Sequence, residues 1–270
     1  MKKYTRISFQ RLIKMITIKT KEDIQILREG GKIHAEILNN LKAMVKPGVN
    51  TKDLDNAARS MIAKVGDTSA FLNYKPEGAV RPFPASICVS INDEVVHGIP
   101  NEKEKILKEG DIVSIDLGLK HKGLITDGAI TVPVGVIKPE LSKLLDVTEK
   151  ALMAGIKAAK GGKRVGDIGA AIERYAIANK YGLVEELSGH GVGYSVHEDP
   201  YVPNYGEEGK GEVLKPGMVI AIEPMFNLGG REIVLDDDGY TYKTEDGKPS
   251  AHFEHTILIT KGDAEILTMI

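Results

Sequence analysis

The chain has 270 residues, of which 42% are hydrophobic and 27% charged, a composition typical of a soluble globular protein. A formal net charge of −2 argues against a general nucleic-acid binder, and no apolar run approaches the roughly 20 residues of a membrane span. The single cysteine, Cys88, excludes an internal disulfide and a cysteine-based zinc site, and it fits a reducing compartment. We therefore expect a cytoplasmic protein without membrane association.

The N-terminal residues 1–14 are basic with scattered apolar side chains. They lack the continuous apolar core and the small-residue cleavage site of a signal peptide. We predict that they form a loose tail. No linker composition divides the rest of the chain, so we predict a single domain at 15–270.

Two helices are predicted after this tail. Thr20 and Asp23 have the spacing of a capping box, and apolar residues follow at helical spacing as far as Pro47. A second helix begins near Thr51 and ends at Gly66, where glycine stops the pattern.

The same plan recurs 114 residues later. A helix begins at Pro139 and ends near Gly161, and Asp167 in the following helix corresponds to Asp53. The repeat predicts two similar halves, although two ordinary helical hairpins would share such stop signals. Each helix pair is followed by mostly antiparallel strands, which makes the fold class α+β. We predict strands at 85–91, 95–100, 112–119, 124–132, 218–224 and 253–259, and a hairpin at 233–243.

Two carboxylates, Asp116 and Asp127, interrupt the apolar strands of one predicted hairpin. Aspartate is a poor strand residue. If the hairpin is centred between His121 and Lys122, the two carboxylates lie directly opposite each other on one face and repel unless they share a proton or a cation. The sequence therefore suggests a divalent metal site here, and an exposed edge hairpin is the alternative.

Three further polar residues stand in segments where apolar residues or glycines predominate. His190 lies among three glycines, which let a backbone approach a ligand closely. Glu223 follows five apolar residues, and Glu254 lies at the start of an apolar strand. A flexible loop for His190, and solvated strand ends for the two glutamates, remain the alternatives. Four carboxylates and one imidazole would suit a pair of Mn, Fe, Co or Zn ions.

Seven segments occur in order along the chain: S-I-N-D-E-V-V-H-G-I-P, G-D-I-V-S-I-D-L-G, T-D-G-A-I-T, G-H-G-V-G, H-E-D-P, K-P-G-M-V-I-A-I-E-P-M and S-A-H-F-E-H-T. Together they resemble the bacterial type of methionine aminopeptidase, within the pita-bread family of metallopeptidases. The resemblance covers essentially residues 15–270. It implies a pseudo-twofold pair of helix–helix–strand halves around a central antiparallel sheet, which agrees with the internal repeat.

The resemblance also implies a ligand set for two divalent ions of Co, Mn, Fe or Zn. Asp116 would chelate one ion, and His190 and Glu223 would bind the other. Asp127 and Glu254 would bridge the pair.

The implied reaction is removal of an N-terminal methionine when the next residue is small. A metal-bridging water would attack the scissile carbonyl, and Glu223 would act as general base before returning the proton to the leaving amine. His197 would contact the scissile amide and stabilise the tetrahedral species. His97 would hydrogen-bond near the substrate and assist in positioning or proton transfer.

Four residues fall where the family places its methionine pocket, namely Phe83, Cys88, Val196 and Tyr240. The family often has larger aromatic residues at the last two positions, so tolerance for leucine or other side chains is an open question. The same four residues are also compatible with a role in the core.

Three alternative assignments predict different features of the sequence. A prolidase or aminopeptidase P relative uses the same type of ligand set but usually carries an extra N-terminal domain, for which this chain has no room. A eukaryotic-like enzyme would have a long insertion between His197 and Glu223, where only 25 residues stand. A non-catalytic pita-bread binding module would lack the metal-ligand residues.

The expected partners are N-terminal methionine peptides, nascent chains and the ribosome, and the expected oligomeric state is a monomer.

Overall fold

The computed structural model describes residues 16–269, so the predicted tail at 1–14 lies outside the described residues. Within this range the helices are α1 (Lys21–Met44), α2 (Thr51–Lys64), α3 (Pro139–Ala158) and α4 (Val165–Asn179). All four predicted helices are confirmed, and α2 and α4 begin 114 positions apart, as the repeat predicted. No helix in residues 16–269 combines the length and the apolar character needed to cross a membrane.

Local sequence explains where the helices begin. The Thr20 hydroxyl accepts a hydrogen bond from the Asp23 amide, and the Asp23 carboxylate accepts one from the Thr20 amide, which completes the predicted capping box. Pro139 occupies the first turn of α3, where its missing N–H has no intrahelical partner to lose.

The strands alternate with the helix pairs in the order that the repeat predicted. They are β1 (Thr68–Ser69), β2 (Cys88–Ile91), β3 (Glu94–Val96), β4 (Ile112–His121), β5 (Leu124–Pro133), β6 (Gly182–Leu183), β7 (Gly189–Gly191), β8 (Glu198–Val202), β9 (Val219–Ile222), β10 (Met225–Asn227), β11 (Ile233–Leu235), β12 (Tyr242–Thr244), β13 (Ser250–His252), β14 (Glu254–Leu258) and β15 (Glu265–Ile266).

A large antiparallel sheet runs through both halves in the order β1-β4-β5-β14-β9-β7-β8, with β2 paired to β4 and β15 to β14. Two three-stranded sheets, β13-β10-β6 and β11-β12-β3, adjoin it within residues 16–269. The sheet order joins the halves because β5 of the first half pairs with β14 of the second.

Strand alternation separates a helix face from a polar face. On β4, Ile115 and Leu117 pack with the apolar side chains of α1 and α2, and Asp116 between them points to the opposite face. On β9, Ile220 and Ile222 pack with α3 and α4 in the same way. The polar side chains of these strands therefore lie together on the sheet face that the helices do not cover.

The predicted register of the β4–β5 hairpin was wrong by two residues. Asp116 pairs with Ala129 and Asp127 pairs with Gly118, so the two carboxylates are diagonal neighbours rather than opposite. The turn is Lys122-Gly123, and both residues have positive φ, 46° and 92°. A two-residue turn of this kind matches the right-handed twist of the strands and is favoured over a turn centred one residue earlier. The two aspartates still share one face.

Some predicted strands are shorter in the structure. The strand predicted at 95–100 ends at Val96, because His97 adopts a left-handed backbone with a φ of 59°. The strand predicted at 85–91 becomes regular only from Cys88, and it pairs with β4. The hairpin predicted at 233–243 is confirmed by the pairing of β11 with β12.

Candidate metal centre and substrate cavity

A cavity of about 640 Å³ lies on the polar face of the large sheet. All eleven residues predicted to form the site line it: Phe83, Cys88, His97, Asp116, Asp127, His190, Val196, His197, Glu223, Tyr240 and Glu254. The structure therefore brings together side chains that are spread over more than half of the sequence.

Five neighbouring strands supply the polar cluster of this cavity, each with one residue. In sheet order, the contributions come from β4, β5, β14, the end of β9 and β7, and the residues are Asp116, Asp127, Glu254, Glu223 and His190. Because these strands are adjacent and the side chains share one face, the cluster follows directly from the antiparallel pairing.

The ligand-type atoms of this cluster lie close together. One such atom from each of Asp127, His190 and Glu254 falls within 4.8 Å of the other two. The Nε2 atom of His190 lies 3.4 Å from Oε1 of Glu223. Asp116 completes the group on the opposite side, directly across the β2–β4 pair from Cys88.

Burial raises the pKa of every carboxylate in the cluster, and the charges of neighbouring carboxylates raise three of the four further. Burial raises the pKa of Asp116 to about 7. Burial, followed by the charge of Asp116, raises the pKa of Asp127 well above its ordinary value, and burial with the charges of Asp127 and Asp116 does the same for Glu223. Glu254 is raised by burial and then by Asp127, Glu223 and Asp116. Bound cations would reverse this preference for protons, because they stabilise the ionised form.

Two buried oxygens in the cluster have no hydrogen-bond donor among the described residues. They are Oδ1 of Asp116 and Oε1 of Glu254, on side chains that are 8% and 3% exposed. Buried polar atoms are normally satisfied, so these two atoms indicate a missing partner. A divalent cation fits the position, because the donor set is four carboxylates and one imidazole and contains no thiolate.

Two histidines flank the cluster. The ring of His197 lies edge-on to that of His190, with centroids 4.5 Å apart, and Nδ1 of His197 lies 3.1 Å from the Tyr74 hydroxyl. Burial, with the neighbouring His190, lowers the pKa of His97 to about 4, so its imidazole is neutral at pH 7. A neutral imidazole can donate one hydrogen bond and accept another.

An apolar wall adjoins the cluster. Phe83 and Tyr240 meet edge to face with centroids 5.2 Å apart, and the Tyr240 hydroxyl donates to the carbonyl of Arg81. Val196 and Cys88 are 5% and 4% exposed and belong to the same buried cluster. Burial, with the charge of Asp116, raises the pKa of Cys88, so its thiol stays protonated. These residues are both core and cavity wall.

The glycines beside His190 serve a different purpose from the one expected. A Cβ atom on Gly189 would lie 2.4 Å from the carbonyl oxygen of Ala221, and one on Gly191 would lie 2.2 Å from that of Asp199. The close approach is therefore to neighbouring backbone, and it lets β7 pack against β8 and β9.

Two residues beside the cavity or the cluster, His252 and Tyr74, were not predicted from the sequence. His252 is 2% exposed, and its Nε2 lies 3.7 Å from Glu223 and 3.9 Å from Glu254. Its position two residues before Glu254 was a usable signal, because alternate strand residues share a face. Tyr74, which contacts His197, gave no signal because it lies in an irregular loop.

The fold and the site together define a metal-dependent hydrolase of the pita-bread class. Residues 25–261 match the metallopeptidase family M24, and the chain belongs to that family. The prediction of a metallopeptidase fold is thereby confirmed, and so is the use of divalent metal that this family implies.

The sequence is similar to bacterial methionine aminopeptidases over most of its length. Methionine aminopeptidase 1 of Bacillus subtilis is 47% identical over 256 residues, which cover 95% of this chain and all of the relative. The crystal structure of methionine aminopeptidase from Thermotoga maritima superposes with a TM-score of 0.90 at 40% identity, and 95% of this chain and all of that one are covered. The resemblance inferred from the sequence motifs is confirmed.

Prolidases share the fold. The prolidase from Pyrococcus furiosus superposes with a TM-score of 0.73 at 24% identity, and the match covers 94% of this chain but only 66% of that one. At this identity the likeness shows the fold alone, so the function has to be argued from the site.

Proposed function

We propose that this chain is a methionyl aminopeptidase, which removes N-terminal methionine from peptides and nascent proteins when the second residue is small. The observation that carries the proposal is one cavity that joins a carboxylate–histidine cluster to an apolar wall. The full-length similarity to bacterial methionine aminopeptidases supports the substrate assignment.

The proposed cofactor is a pair of divalent ions of Co, Mn, Fe or Zn. Asp116, Asp127, His190, Glu223 and Glu254 would hold them. Such ions, when bound, polarise a carbonyl and generate a nucleophile from water at neutral pH. The unpartnered buried oxygens of Asp116 and Glu254 support this ligand set.

Glu223 is the proposed general base. Its carboxylate lines the cavity and lies beside His190 and His252, at 3.4 and 3.7 Å. It would take a proton from the attacking water and deliver it to the leaving amine. His97 and His197 would donate hydrogen bonds to the peptide group and stabilise the oxyanion that develops on it.

The methionine side chain would lie against Phe83, Cys88, Val196 and Tyr240. Val196 and Tyr240 set the width of this pocket in our proposal, and a wider pocket would admit leucine. The enzyme would act in the cytoplasm, because nascent chains are among its proposed substrates. It would act as a monomer and close to the ribosome. Co-sedimentation with ribosomes and sedimentation equilibrium would test these two points.

The decisive experiment is hydrolysis of Met-Ala-Ser by protein stripped of metal, before and after addition of Mn, Fe, Co or Zn. We expect metal-dependent release of methionine and loss of about 10²–10⁴-fold of the rate in Glu223→Gln. Leu-Ala-Ser and a Met-Pro peptide run alongside report pocket width and prolidase activity. A folded protein that turns over none of these peptides with any metal would contradict the proposal and favour a binding module.

A further inference from the structure

The segment just before α1 reaches into the neighbourhood of the active site through Lys19. The Lys19 side chain is fully buried, and its Nζ donates to Oε2 of Glu198 over 2.7 Å. The hydroxyl of Thr17 donates to the same oxygen over 2.5 Å. The Lys19 amide also donates to the carbonyl of Gly217 over 2.8 Å, which fixes the segment against the sheet.

Glu198 closes the loop that carries His197. Its second oxygen, Oε1, accepts hydrogen bonds from the backbone amides of Tyr194 and Ser195, over 2.5 and 3.0 Å. The carboxylate therefore ties both ends of the 194–198 loop together. A buried carboxylate is stable only while its charge is paired and hydrogen-bonded, and Lys19 supplies that pairing.

The loop is shaped around the lysine. Gly193 has a φ of 138°, and a Cβ atom there would lie 2.4 Å from Cε of Lys19. The Tyr194 ring covers the ammonium group, with Nζ 4.5 Å from its centroid. On the other side of the loop, His197 contacts the Tyr74 hydroxyl and lines the cavity.

We infer that Lys19 is a positioning residue for the reaction, because through Glu198 it fixes the loop that aims His197 at the substrate. The inference rests on the substrate contact of His197 in the proposed function. Lys19 itself is not among the described residues that line the cavity. Loss of its charge leaves Glu198 buried and unpaired, and the loop relaxes to solvate it. A displacement of about 1 Å at a positioning group can lower a rate by about 10²-fold.

The test is a double-mutant cycle between Lys19→Met and His197→Ala in the manganese-loaded enzyme, with Met-Ala-Ser as substrate. Lys19→Met should lower kcat by about 10–100-fold and change KM little. In the His197→Ala background the same change should lower kcat less than about twofold, because its target is gone. Effects that multiply in the double variant would overturn the inference.

The matched control is Arg28→Met. Arg28 also ties the N-terminal region to the sheet, through two hydrogen bonds of 2.7 Å to Glu265, but neither residue lines the cavity. The Arg28→Met variant should therefore have the same kcat as the wild-type protein. The double variant with Lys19→Met and Glu198→Gln guards against misfolding, because a neutral amide keeps an acceptor for the Tyr194 and Ser195 amides without a buried charge. This double variant should have a higher kcat than Lys19→Met alone.

Amide hydrogen exchange gives a readout that does not depend on turnover. Lys19→Met should speed exchange at Tyr194 and Ser195, and Arg28→Met should not. Unchanged protection at both amides would overturn the positioning role even if the enzyme proved inactive on every peptide. Inactivity of the wild-type protein would count against the proposed function, whereas an active wild type with normal Lys19→Met kinetics would count only against this inference.

Discussion

The Nε2 atom of His190 lies 3.4 Å from Oε1 of Glu223. His190 is in β7, and Glu223 directly follows the neighbouring strand β9. This pair joins the imidazole to a group of carboxylates whose pKa values are all raised by burial, and in Asp127, Glu223 and Glu254 also by neighbouring carboxylates. The cluster is therefore electrostatically costly unless protons or cations occupy it.

Metal binding should stabilise the fold. A ligand that binds only the folded state at about 100 times its Kd adds about 2.7 kcal/mol. For a domain of this size that corresponds to a rise of roughly 5–10 °C in Tm. We expect this rise when manganese is added to the stripped protein in a calorimeter. The variant Asp127→Asn/Glu254→Gln is the control, and an equal rise in it would place the metal elsewhere.

The stability of the metal-free protein should depend on pH, and Asp116 should account for part of this dependence. Its pKa is raised by burial from 3.8 to about 7, so between these values the folded state holds a proton that the unfolded state has lost. Stability contributed by this group is therefore lost as pH rises through that window. Asp116→Asn does not titrate, so in EDTA its stability relative to wild type should increase from about pH 4 to about pH 7. Urea denaturation measures the difference, and a constant gap would contradict the assignment.

A narrower methionine pocket should increase the preference for methionine over leucine. Val196 is a small residue in this wall, and Val196→Phe would fill space that a branched side chain needs. We expect the ratio of kcat/KM for Met-Ala-Ser over Leu-Ala-Ser to rise by about 10–200-fold, since a methylene is worth about 1–3 kcal/mol in such a pocket. Val136→Phe, at a position that is 83% exposed, is the control. An unchanged ratio would mean that Val196 is only core.

His252 should orient two of the proposed metal ligands, Glu223 and Glu254. It lies 3.7 Å from Glu223 and 3.9 Å from Glu254, a separation that one water molecule can bridge. Groups that orient ligands typically contribute about 10–100-fold in metal affinity. We expect that loss in His252→Leu by isothermal titration with manganese, and a smaller one in His252→Gln. His121→Gln, which alters a histidine bound to Asp67 instead, should bind metal normally.

Much of this molecule could be predicted from local sequence. The cap at Thr20, the proline that begins α3 and the recurrence of the helix pair are short-range features, so they identified the helices and the two halves. The carboxylates Asp116 and Asp127 were identifiable because aspartate is unfavourable inside apolar strands. The motifs then identified the family, and the full-length similarity agrees with them.

Other features depended on the packed structure. The register of Asp116 and Asp127 followed from the positive φ of Lys122, which alternation alone does not reveal. The role of Lys19 became visible only through its contact with Glu198, and the proximity of His252 to Glu223 only through the packing of the strands.

The sequence by itself determined which residues are polar within apolar strands, and hence which chemistry the chain carries. Only the tertiary structure decided that five adjacent strands present them to one cavity, and that a lysine ahead of α1 anchors the loop of His197. The physical reason is that strand order and buried ion pairing join residues far apart in the chain, whereas propensity and periodicity act over only a few residues.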